Sequence, residues 1–391
     1  MTKNPEKRNE SPKQEDGKEQ QQDAKLNPQT ESSLFHRLPQ EIRDCIWTQL
    51  FCSTRFTFGK TPASRIGRVN IKPAPNGLAL LRTCRRAYLE IGDSWLRQVL
   101  FCFETIETML DKLSALSVDT LSKLRYLRVR GDTLLLSYPE NEDHEGYYPL
   151  VSVLKLLPGL QLDQLTILGG FVDHVSYGSL NRLIKDGNGW KTLRYISYSS
   201  AMLGFRSAEH LLGFWEYQTN HWRKPQPAQW QNIMESRDGA ASNPSVTVYR
   251  AKEPAQYGSI LDPSRRAKFE QKAPLFPSLP EQVFLEDREL MAGDEQKKEL
   301  MVVVRRGHDV EYEEMEGSPF IESDIRRGLP EMEWKQIRVW YIDDPDDGGD
   351  EGEDKDKALP SKGKKNVPAE VDVYRDVDDY VWALGHWNPD L

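Results

Sequence analysis

The sequence predicts a mixed protein, α+β at its N-terminal end and α/β in its middle, in which short helices lead into an irregular layer of strands and helices. Three observations predict it: a single apolar stripe on the helix Phe35 to Leu50, three related strand-like phrases beginning at Leu124, Leu162 and Leu193, and helical segments between those phrases. Strand, helix, strand at such spacing argues for parallel pairing through right-handed crossovers. The expected organisation is a polar tail (1–33), a helical module (34–116) carrying an insertion (52–77), an α/β interaction region (117–342), an acidic linker (343–368) and an apolar C-terminal segment (369–391).

The tail holds only Met1, Ala24 and Leu26 as hydrophobic residues, too few to bury, so disorder is expected. The helix FHRLPQEIRDCIWTQL follows. Pro39 suits its first turn, where a fixed φ helps and a missing N–H costs nothing. Leu38, Ile42, Cys45, Ile46, Gln49 and Leu50 recur at three- and four-residue spacing, with Glu41, Arg43, Asp44 and Thr48 on the other side. That stripe is expected to be covered, either by the protein's own core or by a partner. A second helix is expected over Leu78 to Leu96, with Leu78, Leu81, Cys84, Tyr88, Ile91 and Trp95 near helical spacing. VLFCF at Val99 to Phe103 is strand-like, and Thr105 is placed to cap a helix carrying Ile106, Met109, Leu110, Leu113 and Leu116.

The phrases LRYLRVRG, LDQLTILGG and LRYISYSS come next, with helical candidates around Leu150 to Leu157 and Ser179 to Lys185. Each is a leucine, two residues, an apolar residue, then alternation and a small residue. Tyr126, Arg128, Arg130, Tyr195 and Tyr198 are candidates for a partner-binding surface on such a sheet, or half of them for its core, because a one-residue change of register inverts the face. FWEYQTNHWRKPQPAQW, Phe214 to Trp230, is read as a helix and aromatic loop, in which Trp215, Trp222 and Trp230 either pack or anchor a partner. Later strands are expected at Val246 to Tyr249, Met301 to Arg305 and Gln336 to Ile342. The segment Val371 to Trp387 is apolar enough to return to the body, or to be captured by another protein.

The formal charge of −9 is concentrated between Asp343 and Lys357, where nine acidic residues and two lysines leave only −2 for the rest. The acidity is read as that of a disordered, solvated spacer, with binding of a basic partner as the alternative. No apolar run nears the ~20 residues of a membrane span, and the N-terminus lacks a signal-peptide core, so an intracellular protein, cytoplasmic or nuclear, is expected. Cys45, Cys52, Cys84 and Cys102 form no CxxC pair and are expected to be buried thiols. The seven histidines are scattered without ligand spacing. There is no phosphate-cradling GxxxxGK[ST], GxGxxG, HExxH or GxSxG pattern. Neither catalysis nor a metal or cofactor is expected, and the arginines around Cys84 extend into no basic stripe for nucleic acid.

The wording LPxEI with a bulky apolar run resembles the opening of an F-box, the helical module that docks a substrate receptor onto the Skp-type adaptor of a cullin ubiquitin ligase. Leu38, Pro39, Glu41, Ile42, Ile46 and Leu50 carry the resemblance, and LALLRTCRRAYLEIGDSWL from Leu78 is similar to the LLxTCRxxYxE segment of many fungal F-box-like proteins. The resemblance implies an adaptor-binding stripe on those six residues, a protein substrate held elsewhere, and no chemistry by the receptor itself. The long 52–77 insertion departs from a compact F-box and favours a second reading, a stand-alone binding module without a ligase. The three leucine phrases resemble a degenerate leucine-rich repeat, with intervals longer than regular repeats. An enzyme whose active site is assembled only in space is the third expectation.

Overall fold

The computed structural model describes residues 29, 31–59, 72–73, 81–82, 85–138, 145–169, 173–204, 226–269 and 293–342. Eleven strands are described: β1 (Arg55–Phe58), β2 (Lys72–Pro73), β3 (Leu100–Phe103), β4 (Tyr126–Arg130), β5 (Leu134–Ser137), β6 (Glu145–Tyr148), β7 (Leu162–Leu168), β8 (Trp190–Ser197), β9 (Ser245–Ala251), β10 (Arg266–Lys268) and β11 (Leu300–Arg305). Nine of them form one sheet in the order β10-β9-β11-β8-β7-β4-β3-β1-β2, and β5 pairs with β6 alone. The five central strands β1, β3, β4, β7 and β8 are parallel and advance across the sheet in chain order. The flanks turn antiparallel, β11 pairing with both β8 and β9, β10 with β9, and β2 with β1.

Parallel strands that march in one direction through right-handed crossovers put their connecting segments on one face. That face carries Leu127 and Val129, Leu165 and Ile167, Leu193 and Tyr195, Val302 and Val304, which join one core cluster with Met109, Leu110, Leu180, Leu183, Met234 and Ile337 from the helices. The labelled helices are α1 (Ser33–Arg37), α2 (Gln40–Cys52), α3 (Arg85–Ile91), α4 (Ile106–Leu113), α5 (Asp173–Asp186), α6 (Gln226–Asp238) and α7 (Trp334–Tyr341). On the other face Leu168, Ile196, Met301 and Val303 form a smaller cluster with Ile260 and Leu261.

The three leucine phrases are β4, β7 and β8, adjacent and parallel as the alternation predicts. Thr105 caps α4, its hydroxyl accepting from the Thr108 N–H at 3.2 Å. Three expectations about the elements need correction. The strand expected over Gln336 to Ile342 is helix α7, because Trp334, Ile337 and Tyr341, three and four residues apart, face the core and the Gln336 side chain accepts from the Glu333 N–H at 2.9 Å. The segment 34–116 is not set apart from the α/β region: the 52–77 insertion supplies β1 and β2, and the strand expected at Val99 to Phe103, β3, pairs with β4, so one sheet runs through the boundary at 116/117. The helix expected over Leu78 to Leu96 is broken within its described part, where Gly92 at φ 51° separates α3 from a 3₁₀ turn at Ser94–Arg97.

The C-terminal part of the described chain is fastened by buried polar contacts. Lys155 and Glu314 form an ion pair at 2.8 Å with both side chains almost fully buried, and Ser318 donates to the same carboxylate at 2.7 Å. The Glu314 backbone bonds both ways, to Leu160 and Gly159. Trp190 lies under Arg237 and Arg306 at 6.0 and 5.7 Å, and Arg306 is paired with Asp238 at 2.8 Å. Trp334 donates to Asp111 at 2.8 Å, tying α7 to α4.

Candidate docking face

Helix α2 is anchored by one row and exposed along another. Arg43, Trp47 and Phe51, four residues apart, are buried, and Leu50 packs partly against the same core. The Arg43 guanidinium is the pivot. It grips Glu90 of α3 through Nε and Nη2 at 2.9 and 2.8 Å, donates to the Leu38 carbonyl at 2.6 Å, and lies over the Phe35 ring at 5.6 Å. Arg86 reaches Glu90 at 3.1 Å and covers the Phe35 ring at 4.7 Å. Burial pushes the Glu90 carboxyl up, but the hydrogen bonds and charges of Arg43 and Arg86 outweigh it and hold the group below its ordinary range. An aromatic ring under two guanidinium groups and a carboxylate shared between them thus fix α1, α2 and α3 together.

Ile42 and Ile46 precede Arg43 and Trp47 by one residue, about 100° around the helix, and that rotation takes them out of the core. They are 47% and 39% exposed, which for isoleucine is uncommon along a helix otherwise anchored by its large residues. Pro39 and Glu41 are also exposed, while Leu38 and Leu50 are half-buried. The apolar stripe drawn from spacing therefore does not face inward; its Ile42, Cys45, Ile46 and Gln49 members lie in solvent, and Arg43, placed on the polar side, is interior. Cys45 is accordingly an exposed thiol, against the expectation of burial, whereas Cys52 and Cys102 are buried and Cys84 lies outside the described residues. On α3, Tyr88 and Leu89 are exposed as well. Leu89 is one residue out of phase with the helix stripe, a signal that was present in the sequence and points outward.

The sheet residues proposed for a partner surface are divided by register. Tyr195 faces the helix-covered core and is fully buried. Tyr126, Arg128 and Arg130 lie on the opposite face, where Tyr126 clusters with Leu100 and Cys102 and Arg128 is also buried. Arg130 is half-buried beside Asp132, at 2.9 Å, and Tyr198 packs against the smaller cluster. These residues do not form one exposed surface, because strands flanked on both sides by neighbours leave little of a mid-strand side chain in solvent. Trp230 is fully buried and donates to Asn181 at 3.1 Å; Trp215 and Trp222 lie outside the described residues. Among the described residues no group of three or more His, Cys, Asp or Glu is placed to hold a metal ion, and no helix is long and apolar enough to cross a membrane.

No protein-family model matches the chain, and no curated protein or solved structure matches it. Fold and site together define a mixed α/β protein with a parallel-centred sheet and an N-terminal helix that exposes part of its apolar surface.

Proposed function

We propose that this is a non-enzymatic interaction protein: a substrate receptor whose N-terminal helices dock onto the Skp-type adaptor of a cullin ubiquitin ligase while the sheet-bearing remainder holds a protein substrate. The observation that carries this reading is the exposure of Ile42 and Ile46 on a helix whose core anchors are other residues. Leu38, Pro39, Glu41, Ile42, Ile46 and Leu50 form the docking stripe, with Ile42 and Ile46 at its centre. The receptor performs no chemistry; it raises the effective concentration of substrate lysines near the transferred ubiquitin. The leucine-rich-repeat-like reading of the middle is supported by β4, β7 and β8, adjacent and parallel in chain order.

A second reading, a stand-alone binding module, is favoured by β1 and β2, which weld the N-terminal helices to the sheet rather than leaving them as a separate adaptor module. Co-elution with a fungal Skp-type adaptor on size exclusion separates the two. The receptor reading expects a stable complex that Ile42→Asp or Ile46→Asp abolishes. Both isoleucines are already partly in water, so each aspartate variant should melt within a few degrees of the parent, against the loss of about 3–5 kcal/mol expected for Trp47→Ala. A folded protein that elutes alone at every adaptor concentration refutes the receptor reading and leaves the stand-alone module.

A further inference from the structure

The buried pair of Lys155 and Glu314 reaches the surface through one hydroxyl. Ser318 Oγ donates to Glu314 at 2.7 Å and accepts from Lys155 at 3.4 Å and from Arg326 at 3.3 Å, which fills its hydrogen-bonding capacity. Arg326 also donates to the carbonyls of Ser318 and Pro319, at 3.0 and 3.3 Å. The guanidinium groups of Arg326 and Arg327 lie against the ring of Phe320 at 5.2 and 5.5 Å. Around this contact the chain is neither helix nor strand, and Met315, Glu316, Gly317, Pro319 and Phe320 all stand in solvent while Ser318 is half-buried. A single turn closes over it, the Ser318 N–H donating to the Met315 carbonyl at 3.1 Å. Among the described residues Ser318 is the one serine or threonine that precedes a proline.

We propose that Ser318 is a phosphorylation site for a proline-directed protein kinase, and that its phosphate unfastens residues 311–324 from the body of the protein. An irregular, exposed segment can enter a kinase cleft in extended form, and a residue before proline favours that backbone. In the transfer Ser318 Oγ bonds to the γ-phosphorus of ATP, the bond from that phosphorus to the bridging oxygen breaks to release ADP, and the hydroxyl proton passes to the kinase's carboxylate base. The free hydroxyl suits Glu314; the phosphoester does not. It has no O–H to donate, and it sets about two negative charges beside a buried carboxylate. Lys155 is already committed to that carboxylate, so it can serve the phosphate only at the expense of Glu314. Turned outward, the phosphate meets Arg326 and Arg327 on the solvent side instead. The modified segment is therefore held open, because closing it would drive phosphate against Glu314. The inference does not rest on adaptor binding.

The test uses the full chain, ATP and a cyclin-dependent kinase, with a synthetic peptide of residues 313–324 as the control substrate. Ser11 and Thr61, which also precede proline, are replaced by alanine throughout so that a single phosphate is read. Peptide mapping is expected to find phosphate on Ser318 and to lose it in Ser318→Ala and in Pro319→Ala. Amide exchange of 311–324 should then run about tenfold faster in the phosphorylated chain, the response to losing one charged hydrogen bond. In Glu314→Gln the same phosphate meets a stranded Lys155 rather than a carboxylate, so phosphorylation should slow exchange of the segment instead of speeding it. A control peptide left unmodified, or a modified peptide beside an unmodified full chain, would overturn the site. Phosphate on Ser318 with unchanged or slower exchange in the chain that keeps Glu314 would overturn the unfastening. Faster exchange in Glu314→Gln as well would overturn the role given to that carboxylate.

Discussion

Arg43→Ala removes the pivot of the N-terminal helices, and its cost follows from the contacts. The Arg43 side chain is 5% exposed and that of Glu90 13%, so the pair sits largely away from water. The variant loses two bonds to the carboxylate and one to the Leu38 carbonyl. Removing one partner of a fully buried pair costs about 3–5 kcal/mol, chiefly because the other charge is left behind. Here Arg86 stays on Glu90 at 3.1 Å and keeps part of that charge compensated, which lowers the expected loss to about 2–3 kcal/mol. Urea unfolding followed by circular dichroism should show a lower midpoint at an unchanged slope. Replacing both groups with apolar ones, Arg43→Met with Glu90→Leu, should recover most of the deficit. The pH dependence has a definite sign. A carboxyl held below its unfolded value of 4.5 contributes stability that is complete above that value and is lost as pH falls through the lower folded value. The difference between parent and Arg43→Ala should therefore persist at neutral pH and shrink in acid below 4.5. A loss under about 0.5 kcal/mol at neutral pH would show that the clamp is an exposed ion pair in solution and would sink the argument.

Lys155→Ala strands the Glu314 carboxylate among buried groups and should cost about 3–5 kcal/mol in a thermal or urea melt, whereas Lys155→Met with Glu314→Leu should restore most of it. Gly159→Ala is expected to lose about 1–3 kcal/mol, since its φ is 89° and a Cβ there would meet Val118 Cγ1 at 2.5 Å; an unchanged melting point would refute that backbone geometry. The Trp47 indole N–H is buried and has no hydrogen-bond partner among the described residues. Trp47→Phe should accordingly stay within about 1.5 kcal/mol of the parent while Trp47→Ala loses at least twice as much, and equal losses would mean that the N–H is satisfied in solution.

The apolar stripe of α2 was legible as a pattern but not as a direction. Spacing placed Ile42 and Ile46 on one face of α2, and the structure keeps them together, yet the helix turns Trp47 and Phe51 inward and takes Arg43 with them. Amphipathic spacing counts apolar residues without knowing that an aromatic pair outweighs two isoleucines in buried area, or that Glu90, forty-seven residues later, makes an interior arginine tolerable. The same limit applies to α7. Its residues fit a short alternation as well as a helix, and contact with α4 through Trp334, Arg338 and Asp111, together with the Glu333–Gln336 cap, selects the helix.

By itself the sequence determined the parallel centre of the sheet. Leucine-led phrases separated by helical stretches leave few ways to bury both, and β4, β7 and β8 follow. It determined the cap at Thr105 and the strand at Leu100, because these depend on residues within one or two turns. Only the tertiary structure decided that the 52–77 insertion enters the sheet as β1, that the sheet ends in antiparallel flanks, and which of Tyr126, Arg128 and Tyr195 face the helices. Those choices turn on register and on partners far along the chain, and a strand's local pattern is the same on either face until a neighbour fixes the pairing.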